Sequence, residues 1–135
     1  MADKSDRFSK SWLLKRRDMH RVNWDLPGAD REGFRRGMHN GVQARRAFSK
    51  LVTIPFGQKT PPHAVSADHM IFQVHGQVEF TLPDGTFRLD EQDLFFFPAN
   101  ARYSFENVGS GDAVFLSVVS ESNDGWPPES EYWVD

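Results

Sequence analysis

Residues 57–76 read GQKTPPHAVSADHMIFQVHG: a glycine, a Pro-Pro break, a short polar stretch, then seven residues running into a second glycine. Alternate residues of an extended chain face opposite ways, so His69, Ile71, Gln73 and His75 of HMIFQVH share one face of a strand. Three histidines, His63, His69 and His75, stand six residues apart in this stretch. They hold a metal, handle protons or pack, and function turns on which.

Outward from this strand the same pattern repeats. GVQARRAFSKLVTIPFG reads as one or two strands ending at Pro55 and Gly57, and QVEFTL and TFRLD are joined by the turn LPDGT as a hairpin. DLFFFP is a short apolar run closed by Pro98, ARYSFENV alternates, and DAVFLSVVS is a strong last strand after the turn VGSGD. Short strands every 8 to 12 residues or so, with no helical period over residues 42–120, indicate an all-β sandwich or barrel. Before residue 42, NWDLPGADREG and MHNG are turn-rich, and residues 1–41 form a partly ordered extension; residues 121–135 form an acidic tail.

Composition narrows the function. A chain of 135 residues fits one domain with one core. A net charge of −3 argues against nucleic acid as the partner, and no apolar run is long enough to span a membrane. The absence of cysteine removes disulfides, thiolate metal sites and a thiol nucleophile. The charged N-terminus lacks a secretory pattern, so cytoplasmic residence is expected. Basic residues crowd the start and acidic residues the end, so the two ends either meet or are solvated tails.

The order of residues over about 42–120 resembles the cupin superfamily. Gly57, QKTPP, His63, Ala64, Val65, SAD, His69, MIFQVH and Gly76 follow the spacing of the first cupin motif. Gln92, DLFFF, Pro98, Ala99, Asn100, AR, Tyr103, SFE and Asn107 follow that of the second. The resemblance implies a double-stranded β-helix, a jelly-roll barrel with an extended N-terminal segment. It also implies where a cupin metal would sit, on three His and one Glu. Here only His63 is unchanged: Val65 replaces the second His, His69 the Glu, and Tyr103 the third His.

Such a set suits metal-free acid–base chemistry, with His63 and His69 as base and orienting group and Tyr103 as acid. Gln73, Ile71 and Phe105 are expected to contact ligand from the same faces as His69 and Tyr103, His75 to lie at the rim, and Asn107 to cap the turn after it. The expected function is binding of a small, largely apolar molecule by an enzyme of lyase, isomerase or cyclase type. Two alternatives stay open: a metal-dependent cupin such as a dioxygenase, using His63 and His69 to hold one Fe, Zn, Ni or Cu ion, and a non-catalytic ligand-binding sensor. No cofactor is firmly implied. Phosphate or carboxylate substrates call for arginine, and Arg45, Arg46 and Arg102 are available with directions undetermined. The phenylalanines of DLFFFP face both ways, so one set needs cover outside the barrel, and a homodimer packed sheet to sheet is expected. Trp12, Trp24, Trp126, Tyr132 and Trp133 could complete its interface.

Overall fold

The computed structural model describes residues 11, 13–19, 41–44, 46–60, 62–120 and 131–133. Ten strands account for almost all of its regular structure. In chain order they are β1 (Gly41–Gln43), β2 (Ala47–Ile54), β3 (His63–Val65), β4 (His69–His75), β5 (Val78–Leu82), β6 (Gly85–Leu89), β7 (Leu94–Phe97), β8 (Ser104–Asn107), β9 (Ala113–Ser120) and β10 (Glu131–Trp133). A single 3-10 turn at Arg16–Asp18 is the only helical element among the described residues. No helix there is long and apolar enough to cross a membrane.

The strands form a five-stranded sheet in the order β1-β2-β9-β4-β7, a three-stranded sheet β6-β5-β8, and the pair β10-β3, with antiparallel pairing throughout. Residues far apart in sequence become lateral neighbours, which is why the site cannot be assembled from one segment. Across the large sheet, Phe48, Val119, His69 and Phe97 form one row, and Lys50, Ser117, Ile71 and Phe95 the next. Both rows lie on the inner face: β2 and β9 alternate strictly between buried and half-buried residues, and Phe48, Lys50, Val52 and Ile54 are the buried phase of β2.

The core fills the space between the two larger sheets. Phe80 of β5 is fully buried and meets Phe95, Phe97, Phe105 and Phe115 at ring-centroid distances of 5.5–6.0 Å. Tilted pairs at such distances add a favourable edge-to-face term to the burial itself. The outer phase of DLFFFP is exposed, with Leu94 at 80% and Phe96 at 57%.

Turn geometry accounts for the motif spacing. Gly57 and Gly76 have φ of 76° and 73°, and Gln92 and Asn100, at the two glycine positions of the second motif, have φ of 71° and 66°. The chain therefore keeps the left-handed turns even where it has lost the glycines. Asn tolerates that region, whereas Gln adopts it at a cost. The turn after β8 is held by Asn107, as expected. Its Oδ1 accepts from the Gly109 amide at 2.9 Å, and its Nδ2 donates to the carbonyls of Ile54 (2.9 Å) and Gly111 (2.7 Å).

Both ends contribute structure. Arg16 donates to Thr53 Oγ1 at 2.8 Å, tying part of the N-terminal extension to β2. Residues 131–133 of the stretch read as an acidic tail form β10, paired with β3 in the register Trp133↔His63. The proposed interface roles of Trp12, Trp24 and Trp126, and the direction of Arg45, lie outside the described residues.

Candidate active site

His69 opens β4 and, by strand alternation, points between the sheets, where it is 2% exposed. Its ring stacks on Phe97 with centroids 4.6 Å apart and planes 9° from parallel. Burial, then the charge of Lys50, then that of His63, lower its pKa from 6.5 to about 3, partly opposed by a hydrogen bond with the Ala67 backbone. The imidazole is therefore neutral at pH 7. A neutral imidazole donates from one nitrogen only; with the donor turned to Ala67, the other nitrogen keeps its lone pair. Nδ1 is buried and has no hydrogen-bond partner among the described residues.

This ring borders a cavity of about 20 Å³ between the two larger sheets, large enough for about one water. The other walls are Lys50, Val52, Ile71, Phe80, Phe97, Tyr103, Phe105, Phe115 and Ser117. Tyr103 lies 5.6 Å from His69, ring to ring, and is itself buried. A larger polar hollow of about 210 Å³, bordered by Lys59, Glu79 and Glu106, lies elsewhere, along β5 and β8. It contains no histidine and no tyrosine, so the expected acid–base residues meet at the smaller cavity.

The expected site residues divide. His69, Tyr103, Ile71 and Phe105 all border the cavity. His63 does not, although it is 1% exposed and its ring lies 4.1 Å from that of Tyr103. Its backbone exchanges two hydrogen bonds with Tyr103, His63 N to Tyr103 O at 2.9 Å and Tyr103 N to His63 O at 2.8 Å, which fix the Tyr103 backbone while the two rings pack together. Gln73 points inward and is fully buried, but away from the cavity walls. Its Nε2 donates to the carbonyls of His75 (2.9 Å) and Gly76 (3.2 Å), securing the bulge that ends β4. That bulge turns His75 out of phase with Gln73, and His75 lies at the surface against Glu91 at 3.1 Å. Asp68 is exposed and accepts from the Ala99 amide at 3.0 Å, so it forms no dyad with His69.

Lys50 and Ser117 were missed. They are cross-strand partners on the inner face, 6% and 2% exposed, and both reach the cavity. The signal was available: in AFSKLVTI, Lys50 falls in phase with Phe48, Val52 and Ile54. Arg46 and Arg102, the cations weighed for this role, are exposed and border no part of the cavity.

A metal ion fits these residues poorly. Among the described residues no three of His, Asp or Glu are grouped to hold one. Among the described residues the cavity wall offers one imidazole, a phenol, a hydroxyl and an amine, with no carboxylate to offset a cation's charge. A dication here would also face the charge of Lys50 in a setting of low dielectric.

Comparison with known proteins agrees with this architecture. The family model for the cupin domain matches residues 50–119. A cupin superfamily protein from Desulfitobacterium hafniense superposes with a TM-score of 0.53 at 19% identity, covering 58% of this chain and 71% of that one. An RmlC-like cupin family protein with a double-stranded β-helix fold, from Methanocaldococcus jannaschii, gives 0.55 at 20%, covering 58% and 73%. The DMSP lyase from Ruegeria pomeroyi gives 0.55 at 21%, covering 64% of this chain and 46% of the lyase. No curated protein matches. At these identities the likeness speaks for the fold, a double-stranded β-helix, and the chain belongs to the cupin superfamily.

Proposed function

We propose that this cupin is an enzyme of lyase, isomerase or cyclase type that moves a proton on a small, largely apolar organic substrate without a metal. The observation that carries this reading is His69: a buried imidazole, neutral at pH 7, whose Nδ1 has no hydrogen-bond partner among the described residues. Its lone pair can accept a proton, but a pKa of about 3 makes it a weak base, so the step leans on the acid, Tyr103, whose ring lies 5.6 Å away. In a proton abstraction next to a carbonyl, Nδ1 takes the C–H proton while the Tyr103 hydroxyl gives its proton to the developing oxyanion, leaving an enol. His63 fixes the Tyr103 backbone and packs against its ring. The cavity of about 20 Å³ has room for about one water-sized group, so only the reacting atoms fit beside His69 and Tyr103 and the rest of the substrate lies outside it.

The test is hydrogen–deuterium exchange in D2O, followed by proton NMR, on a panel of small ketones and 2-keto acids. Wild-type protein is expected to exchange the α-protons of at least one member, and His69→Ala to lower that rate by about 10² or more. Equal rates for the two proteins, or no exchange above the solvent rate across the panel, would contradict the reading. The small cavity also favours a second reading, a binding cupin without turnover, which predicts tight retention of a ligand and no product over hours.

A further inference from the structure

Strand alternation turns Glu79 and Thr81 of β5, and Ser104 and Glu106 of β8, onto the outer face of the three-stranded sheet. Glu79 and Glu106 are direct cross-strand partners, and Lys59 is bridged to Glu106 on its other side. Like charges facing each other across a sheet are destabilising, and a neighbouring cation would relieve them. Here none does. Arg88, opposite Glu79 on β6, turns its guanidinium to Asp90 at 3.4 Å. Among the described residues the side chains of Lys59, Glu79 and Glu106 make no ion pair and no hydrogen bond.

These three side chains border a polar hollow of about 210 Å³, roughly the volume of seven waters in the liquid. Thr81 and Ser104, partners in the next outward row, add two hydroxyls about 7 Å along the strands from the carboxylates. Thr60 borders the hollow too and is 4% exposed. Its Oγ1 accepts from the Phe105 amide at 3.1 Å, while its hydroxyl proton has no acceptor among the described residues. Phe105 is the one apolar residue on the described wall.

We propose that this hollow binds a small hydroxylated amine of amino-sugar type, its ammonium received between Glu79 and Glu106 and its hydroxyls by Thr60, Thr81 and Ser104. Two carboxylates against one ammonium leave the wall with an excess of negative charge, which selects a cation over an acid. The two rows call for polar groups at both ends of a span of about 7 Å, so a bare ion would leave the hydroxyl row unused. A six-membered ring carrying an amine and several hydroxyls meets both rows, and Lys59 donates to one of its oxygens. The hollow lies on the far side of the three-stranded sheet from the His69 cavity, so the inference is independent of the acid–base reading.

The experiment compares glucosamine with glucose, which share a ring and differ in one ammonium. Each is titrated into full-length protein at pH 6 and constant ionic strength, with binding read from backbone amide shifts. Wild-type protein is expected to bind glucosamine about fivefold or more tightly than glucose, the upper range for an exposed ion pair, with shifts confined to residues bordering the hollow. The Glu79→Gln, Glu106→Gln double variant keeps the shape and removes both charges, and is expected to bring the ratio close to one. Ser104→Ala is expected to weaken both sugars by a similar factor and leave the ratio in place. Equal binding of the two sugars by wild type, no saturable binding of glucosamine, shifts scattered over the surface, or a ratio unchanged in the double variant would overturn the inference.

Discussion

At the scale of single residues, His69 shows how burial keeps an imidazole neutral well below the pH at which an exposed ring takes up a proton. Its folded pKa of about 3 lies below the 6.5 of the exposed ring. Between those values the unfolded chain binds a proton that the folded chain does not, so stability rises with pH in that window. The contribution is complete above about pH 6.5 and is lost as pH falls toward 3, by at most about 1.4 kcal/mol per pH unit. Denaturant unfolding of wild type and His69→Gln at a series of pH values checks this. The difference between the two proteins is expected to shrink as pH falls from 6.5 toward 4, and a difference independent of pH would contradict it. Lys50 is the opposite lesson. Its alternation was legible in AFSKLVTI, but a lone lysine in a strand is ordinarily solvated, and only pairing with Ser117, 67 positions along the chain, puts it on the inner face.

At the scale of elements, turn chemistry and alternation carried most of the information. The hairpin at LPDGT and the strand boundaries at Gly57, Gly76 and Pro98 are local features, written in residues whose backbone preferences are strong. Two other elements depend on distant partners. β3 is three residues long and gains its place from β10 and from its bridge to Tyr103, neither of which a local pattern announces. The bulge between Gln73 and His75 also escapes the alternation rule: Gln73 keeps the inward phase expected of it, with its amide tied to the strand end, and His75 alone turns outward. The turn between β6 and β7 offers a direct check on backbone strain. Gln92 is exposed with φ of 71°, so Gln92→Gly relieves a left-handed non-glycine residue. It is expected to raise stability by about 1 kcal/mol, read as a higher denaturation midpoint at unchanged slope. A lower midpoint would mean that the glycine's added freedom in the unfolded chain outweighs the strain.

For the whole molecule, the large sheet has one face in the core and one that water does not suit. Met70 pairs with Phe96 and Phe72 with Leu94 across β4 and β7, and all four are exposed. Val118 and Leu116 of β9 and Leu51 of β2 continue these rows at half burial. We propose that a second copy covers this face through a two-fold axis, the homodimer expected from the sequence. Sedimentation velocity is expected to give a dimer for wild type and a monomer for the Leu94→Asp, Phe96→Lys double variant. A monomeric wild type would remove the dimer. The fold as a whole was readable because both motifs kept their spacing. The site was readable in part, because its geometry depends on which rows of three strands face inward together.

The account rests on a neutral, buried His69, and NMR titration of the histidine rings between pH 3 and 8 tests that most directly. Wild type labelled at the imidazole nitrogens is compared with His69→Gln to identify the resonances of this ring. The predicted result is a His69 signal that keeps its neutral-form shifts through pH 6.5 and begins to titrate only near pH 3 to 4. A His69 midpoint close to 6.5 would contradict the account, since the ring would then be solvated and the cavity open to water.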